Sequence, residues 1–477
     1  MQAGALTCRQ LVDAYLDRIA RYDKPALNAI VLVNPEARPE AEAKDRQFAA
    51  RGLTGPLHCV PMIVKDNFET IGMQSANGSA SLAGFISDKD AFQVQRIKAA
   101  GAIVMAKSNM GEFAFSPLET VSSILGTTHN PYATDRVPAG SSGGTAAAIA
   151  ANFGLVGLGS DTGNSIRGPS AHTALVGIRS TMGLTSRAGV IPLSYLADIA
   201  GPMARSVEDA VAVFQVIAGE DPEDPMTARS SGRTVLDYQA ALVRDGLEGA
   251  RIGILRQAYE RQPPRNNPTA VTIDPDVVTV FSRAIDDLKA AGAEVVAPAR
   301  VQLPELQGSG GCRGFKYDIN EYLRTRGSRA PVHTLDEIIA SGKFHESIRG
   351  RLEGSNRSTP QGPDSEACKA DAANRAAFGA AVTRTMDELK LDALVYPTWN
   401  FPPQPIGQVN QGAGDNSQVY APMSGFPAIN VPMGFTGGGR FPAGMTIFGR
   451  AWSEATLVRL AYAYEQATRH RRPPALE

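Results

Sequence analysis

Ala139-Gly140-Ser141-Ser142-Gly143-Gly144-Thr145 opens a run that closes with Asp161-Thr162-Gly163-Asn164-Ser165-Ile166-Arg167-Gly168-Pro169-Ser170, and this run decides how the chain is read. Small residues at 145–152 predict a short, tightly packed helix, which Gly154 can end in a left-handed cap. Residues 155–159 are a short apolar run and predict a buried strand. Two serine-bearing turns are thus joined by one helix and one strand, which can bring both hydroxyls to one place. The glycines allow unusual dihedrals and leave backbone N–H groups open to a ligand.

Outward from this run, strand and helix signals alternate. The capping box at Thr7-Cys8-Arg9-Gln10 starts a helix with Leu11, Val12, Tyr15, Leu16 and Ile19 on one apolar face. Strands are predicted at 27–33, 58–64, 102–106, 175–179, 190–191, 251–255, 293–296, 392–396, 428–433 and 445–448. Helices are predicted at 36–50, 89–100, 206–218, 274–291, 365–389 and 453–468. The alternation implies an α/β fold, a mixed central sheet with helices on both faces. Residues 1–477 read as one domain. The weakly patterned segment at about 299–365 reads as an irregular or helical insertion that could form a lid over a site.

Composition excludes several classes. Over 477 residues the net charge is −1, with 20% charged and 43% hydrophobic residues, so nothing argues for a nucleic-acid partner. No window approaches the ~18 apolar residues of a membrane span. Cys8, Cys59, Cys312 and Cys368 have no C-x-x-C spacing and suggest a reducing compartment rather than a disulfide framework. Without a signal-peptide pattern, a cytoplasmic location is expected. No zinc motif appears, so no metal and no cofactor are expected.

Three chemistries compete for the central run. A phosphate cradle would use glycine-rich turns at helix N-termini, but the Walker spacing is absent. A nucleophile elbow would use Ser142 in Gly140-Ser141-Ser142-Gly143-Gly144, but it needs a strand directly before it, where Pro138 stands. The third uses a lysine as base. Lys65 ends the apolar run Val60-Pro61-Met62-Ile63-Val64, where burial can depress its pKa. A neutral Lys65 could then draw a proton from a serine hydroxyl.

These residues resemble the amidase signature hydrolases. That family carries G-G-S-S-G-G, an intervening helix and strand, and then D-x-G-x-S-I-R-x-P; residues 139–170 match nearly throughout. Pro61-x-x-Val64-Lys65-Asp66-Asn67 resembles the lysine strand. Lys107-Ser108-Asn109-Met110-x-Glu112-Phe113, Asp392-Ala393-Leu394-Val395-Tyr396-Pro397-Thr398 and Gly425-Phe426-Pro427-Ala428 resemble further parts. The resemblance implies a Ser–cis-Ser–Lys triad with Ser165 as nucleophile, Ser141 as bridging serine on a cis peptide and Lys65 as base. The backbone N–H groups of Thr162, Gly163, Asn164 and Ser165 would form the oxyanion hole. Ser142 would support Ser141 or cap the helix, and Asp161 and Arg167 would be a structural ion pair. Lys107 reads as structural. Phe113, Phe115, Tyr396, Trp399 and Met423 are candidates for an apolar substrate pocket. Two positions depart from the family, which has glycine where Ala139 and Asn164 stand.

The implied reaction is serine-dependent hydrolysis of a small-molecule amide, or of a related anilide, carbamate or ester, with a homodimer compatible. The rival is the glutaminase subunit of a tRNA-dependent amidotransferase, which would require partner subunits and an ammonia path. A non-catalytic binding module fits poorly, because all three reactive positions are intact.

Overall fold

The computed structural model describes residues 4–232, 237–263, 265, 270–305, 312–409 and 414–476. Among the described residues the strands are β1 (Ile30–Val33), β2 (Pro61–Lys65), β3 (Ile103–Ser108), β4 (Val121–Ser122), β5 (Gly126–Thr127), β6 (Val156–Asp161), β7 (Val176–Arg179), β8 (Ile199–Ala204), β9 (Arg251–Ile254), β10 (Glu294–Val296), β11 (Ala393–Pro397), β12 (Ala428–Thr436) and β13 (Phe441–Phe448). Eleven form one sheet in the order β1-β3-β2-β6-β8-β7-β12-β13-β11-β9-β10, and β4 and β5 pair separately. β3, β2 and β6 run parallel, as do β11, β9 and β10, while the strands between β6 and β11 pair antiparallel. The sheet is therefore mixed, as expected, and helices cover it.

Local signals account for most elements. Thr7 and Gln10 close a reciprocal capping box on the helix Cys8–Tyr22. Ser206 caps Val207–Ile217 through Asp209 N, and Asp274 caps Pro275–Ala290 with proline in its first turn. β2, β3 and β6 are buried on both faces, which is why they read as continuous apolar runs. Residues 190–191 form no strand; Val190 makes only an isolated bridge to Phe68.

Among its described residues the segment at 299–365 carries the helices Phe315–Arg326, Leu335–Ser341 and Arg349–Arg357, joined by irregular stretches; residues 306–311 lie outside the described residues. These helices bury Phe315, Ile319, Tyr322, Leu335 and Ile338 against Phe85, Phe113 and Phe115 in a core of their own. Their seat is polar as well: Glu69 accepts hydrogen bonds from Tyr322 Oη at 2.7 Å and Arg326 Nε at 2.6 Å.

The cysteine expectation is corrected. Cys8 is bonded to Cys59, and Cys312 to Cys368, so the four cysteines form two disulfides. Spacing could not reveal them, because each bridge joins segments more than 50 residues apart that only the fold brings together. Among the described residues, no helix is long and apolar enough to cross a membrane, and no cluster of His, Cys, Asp or Glu is placed to hold a metal ion.

Candidate active site

Lys65 is the last residue of β2, and β6 runs parallel beside it with Val64 opposite Leu158. The two strands release their carboxyl ends side by side, the usual place for a site in an open α/β sheet. Ser141 approaches from the loop before the helix Gly143–Ala150. That loop packs backbone on backbone: a Cβ on Gly144 would lie 2.1 Å from Asn109 O, and one on Gly140 would lie 2.2 Å from Glu119 O. The Gly140–Ser141 peptide bond is cis, as the resemblance implies, and Ala139 holds φ +62° where the family has glycine.

The structure brings Lys65 and Ser141 together. Lys65 Nζ lies 2.8 Å from Ser141 Oγ and 2.8 Å from Ser160 Oγ, and both Lys65 and Ser141 are fully buried. Burial pushes the lysine down to about 7, against the opposing pull of Asp198 and Asp161. Asn67 Nδ2 donates to Ser160 Oγ at 3.0 Å, so a small polar network fixes the amine. Ser160 was not singled out in the sequence; its place on β6 directly before Asp161 is the signal that could have found it.

Ser165 stands in the turn after β6. No hydrogen bond joins Ser165 to Ser141 among the described residues; the Ser165 hydroxyl donates to Asn164 Oδ1 at 3.3 Å. The backbone N–H groups of Gly163, Asn164 and Ser165 meet no acceptor among the described residues, and all three residues line the cleft. Thr162 Oγ1 donates to Asp198 Oδ1 at 2.5 Å, and Asp198 also accepts the N–H of Leu193 and Ser194. Asp198 was missed in the sequence because it arrives from a distant loop.

Beneath the turn, Asp161 accepts from Arg167 Nε at 3.1 Å and from Arg179 Nη1 at 2.8 Å, all three side chains fully buried. Burial alone would raise the Asp161 carboxyl, but Arg167 and Arg179 outweigh it and hold the carboxyl at about 2. The Asp161–Arg167 pair thus joins residues of one turn, and Arg179 is the partner that sequence did not show. Ser142 makes no side-chain cap; its Oγ donates to Ser160 O at 3.1 Å. Lys107 donates to Phe68 O, to Gln74 O at 3.3 Å and to Ser75 Oγ at 3.0 Å, away from the serines.

The turn opens into a cleft of about 1110 Å³ that also reaches Thr162, Gly163, Asn164 and Ser165. Of the pocket candidates, Phe115 and Met423 line it, and Phe113, Tyr396 and Trp399 do not. Phe113 and Tyr396 are fully buried core residues, and Trp399 packs on the ring of His172 at 4.7 Å between centroids. Arg261, Arg313, Arg351, Arg375, Asp415 and Gln418 are wall residues that sequence reasoning missed. They come from separate elements, so no local spacing announces them.

The sequence profile of the Amidase family matches residues 10–458 of this chain. The chain belongs to the amidase family. The amidase is 33% identical over 493 positions to a glutamyl-tRNA(Gln) amidotransferase subunit of Symbiobacterium thermophilum, covering 98% of this chain and 95% of that protein. Among solved structures it is similar to the native peptide amidase of Stenotrophomonas maltophilia, with a TM-score of 0.86 and 36% identity over 100% of this chain and 96% of that one. The corresponding glutamyl-tRNA(Gln) amidotransferase subunit of Thermotoga maritima follows with a TM-score of 0.71 and 26% identity, covering 99% of this chain and 98% of that one. The amidase is accordingly a hydrolase of C–N bonds.

Proposed function

We propose that this amidase cleaves a carboxamide through Ser165, Ser141 and Lys65. One observation carries the reading: a buried lysine amine, pushed down to about 7, lies 2.8 Å from Ser141 and 2.8 Å from Ser160, on the strand that leads into the Ser165 turn. The neutral amine takes the Ser141 proton as Ser141 takes that of Ser165. Ser165 Oγ then adds to the amide carbonyl, and the negative oxygen settles against the N–H groups of the 162–165 turn. The proton returns through Ser141 to the leaving nitrogen as the C–N bond breaks. Water, deprotonated by the same route, releases the acyl group from Ser165.

Two substrate readings share this chemistry. The curated relatives favour the second, the glutaminase subunit of an amidotransferase, because they match along nearly their whole length. Three observations favour an independent amidase. The peptide amidase structures are more similar than the amidotransferase structure. The cleft exceeds the ~300–1,000 Å³ of sites for drug-sized ligands, more than a single amino acid fills. The two disulfides fit an oxidising compartment better than the cytoplasm, where tRNA is charged. In this reading the described residues of 312–358 form an outer wall of the site, within one domain.

The test is a panel of peptide amides, aliphatic amides and glutamine, run on wild type and Ser165→Ala. Turnover of peptide amides by the isolated chain, with labelling of Ser165 by a fluorophosphonate, is the expected result. Glutamine turnover that appears only with amidotransferase partner subunits would establish the second reading instead. Labelling at Ser142, or labelling retained in Ser165→Ala, would remove Ser165 from its role.

A further inference from the structure

Among the described residues, no hydrogen bond joins the nucleophile candidate to the base or to the bridging serine. Lys65 and Ser141 are paired at 2.8 Å, while the Ser165 hydroxyl makes no hydrogen bond to either among the described residues and donates instead to Asn164 Oδ1 at 3.3 Å. Asn164 itself is held. Its Nδ2 donates to Pro117 O at 3.3 Å, and the side chain is buried. Room for it is built into the turn: a Cβ on Gly168 would lie 2.6 Å from Asn164 Nδ2, so any larger residue at 168 would expel the carboxamide. Pro117 and Asn164 both line the cleft, so this carboxamide is part of the floor on which a substrate lands.

We propose that Asn164 is a positioning residue that parks the Ser165 hydroxyl away from the Ser141–Lys65 pair, so that substrate must break this bond before acylation. The inference rests on Ser165 being the nucleophile. Breaking one neutral hydrogen bond and turning one side chain about χ1 costs a modest factor, and that factor is added to every acylation event. A glycine at 164 would carry the same backbone N–H without the brake.

Asn164→Ala removes the acceptor, and Asn164→Leu removes it while keeping most of the volume. The readout is the rate of Ser165 modification by phenylmethanesulfonyl fluoride and by a bulky fluorophosphonate, with kcat and KM on an amide substrate. In both variants, modification by both probes is expected to quicken about three- to tenfold, the range set by one neutral hydrogen bond. kcat should rise by a similar factor where acylation limits it, with KM and the pH limb unchanged. Unchanged or slower modification in the folded variants overturns the proposal. A gain confined to the bulky probe or to KM also overturns it, since that marks a wider cleft rather than a released hydroxyl. Loss of all modification in Ser165→Ala shows that the readout belongs to Ser165; labelling that persists there sinks the underlying reading instead.

Discussion

At the scale of the residue, the chemistry depends on where Lys65 loses its proton. An exposed lysine, with pKa near ~10.4, is almost wholly protonated at neutral pH and cannot act as a base. Burial lowers this one to about 7, because the charged form has no water around it, and Asp198 and Asp161 only partly offset that. The active form is the neutral amine, so kcat/KM is expected to rise about tenfold per pH unit below about 7 and to level off above it. Lys65→Met should lower kcat by about 10²–10⁴-fold and remove the limb, measured on an amide whose acylation is rate-limiting. A limb that survives the substitution would assign the titration to another group. The buried carboxyl of Asp415 at about 6 is the neighbour to test next, because it also lines the cleft.

At the scale of the element, the turn between β6 and the helix Arg167–His172 is held by Asp161 and its two arginines. Removing the carboxylate leaves two guanidiniums buried without their shared partner. Asp161→Asn is therefore expected to cost about 3–5 kcal/mol of stability, seen as a lower Tm. Because the folded-state pKa is depressed to about 2, the carboxylate's contribution is present above its unfolded value near ~4 and is lost as pH falls through about 2. Wild type should therefore lose more stability than Asp161→Asn between pH 5 and pH 2. This turn also shows how legibility works. Asp161 and Arg167 lie in one motif that the family resemblance covers, whereas Arg179 sits on β7, where nothing in the sequence pairs it with them. Strands β2, β3 and β6 announce themselves as apolar runs, but β8 escaped because Gly201 and Pro202 break its pattern. The fold requires that glycine: a Cβ on Gly201 would lie 2.3 Å from Ile178 O. Pro202 lies opposite Leu158 inside the sheet, against the usual meaning of proline there. The two serines and the lysine stand in short motifs that carry the family resemblance, and around Ser141 close backbone packing at Gly140 and Gly144 admits only glycine. The cleft wall was not legible, because Arg313, Arg351 and Arg375 converge from three elements.

At the scale of the whole molecule, the two disulfides cross-link different functions. Cys8–Cys59 ties the first helix to the residues just before β2, the strand that ends in Lys65. Cys312–Cys368 ties the cleft wall at Cys312, Arg313 and Gly314 to the helix Glu366–Glu388, which brings Arg375 to the same wall. With sequence separations of 51 and 56, the chain-entropy estimate gives about 4 kcal/mol for each bridge. The two should nonetheless differ in what their loss does. Cys8 and Cys59 lie inside a packed core with Val12, Ile63 and Ile149, away from the cleft. Cys8→Ser with Cys59→Ser should lower Tm and leave kcat and KM near wild type, because β2 remains paired on both sides. Cys312→Ser with Cys368→Ser frees the wall that a substrate would touch, so KM should rise while kcat for a small amide holds. Titrating wild type with a phosphine reductant under native conditions checks this in one experiment. A KM that climbs with reduction in wild type, and in the Cys8/Cys59 variant, but not in the Cys312/Cys368 variant, would assign the effect to the cleft bridge. Equal changes in all three would mean that neither bridge shapes the cleft.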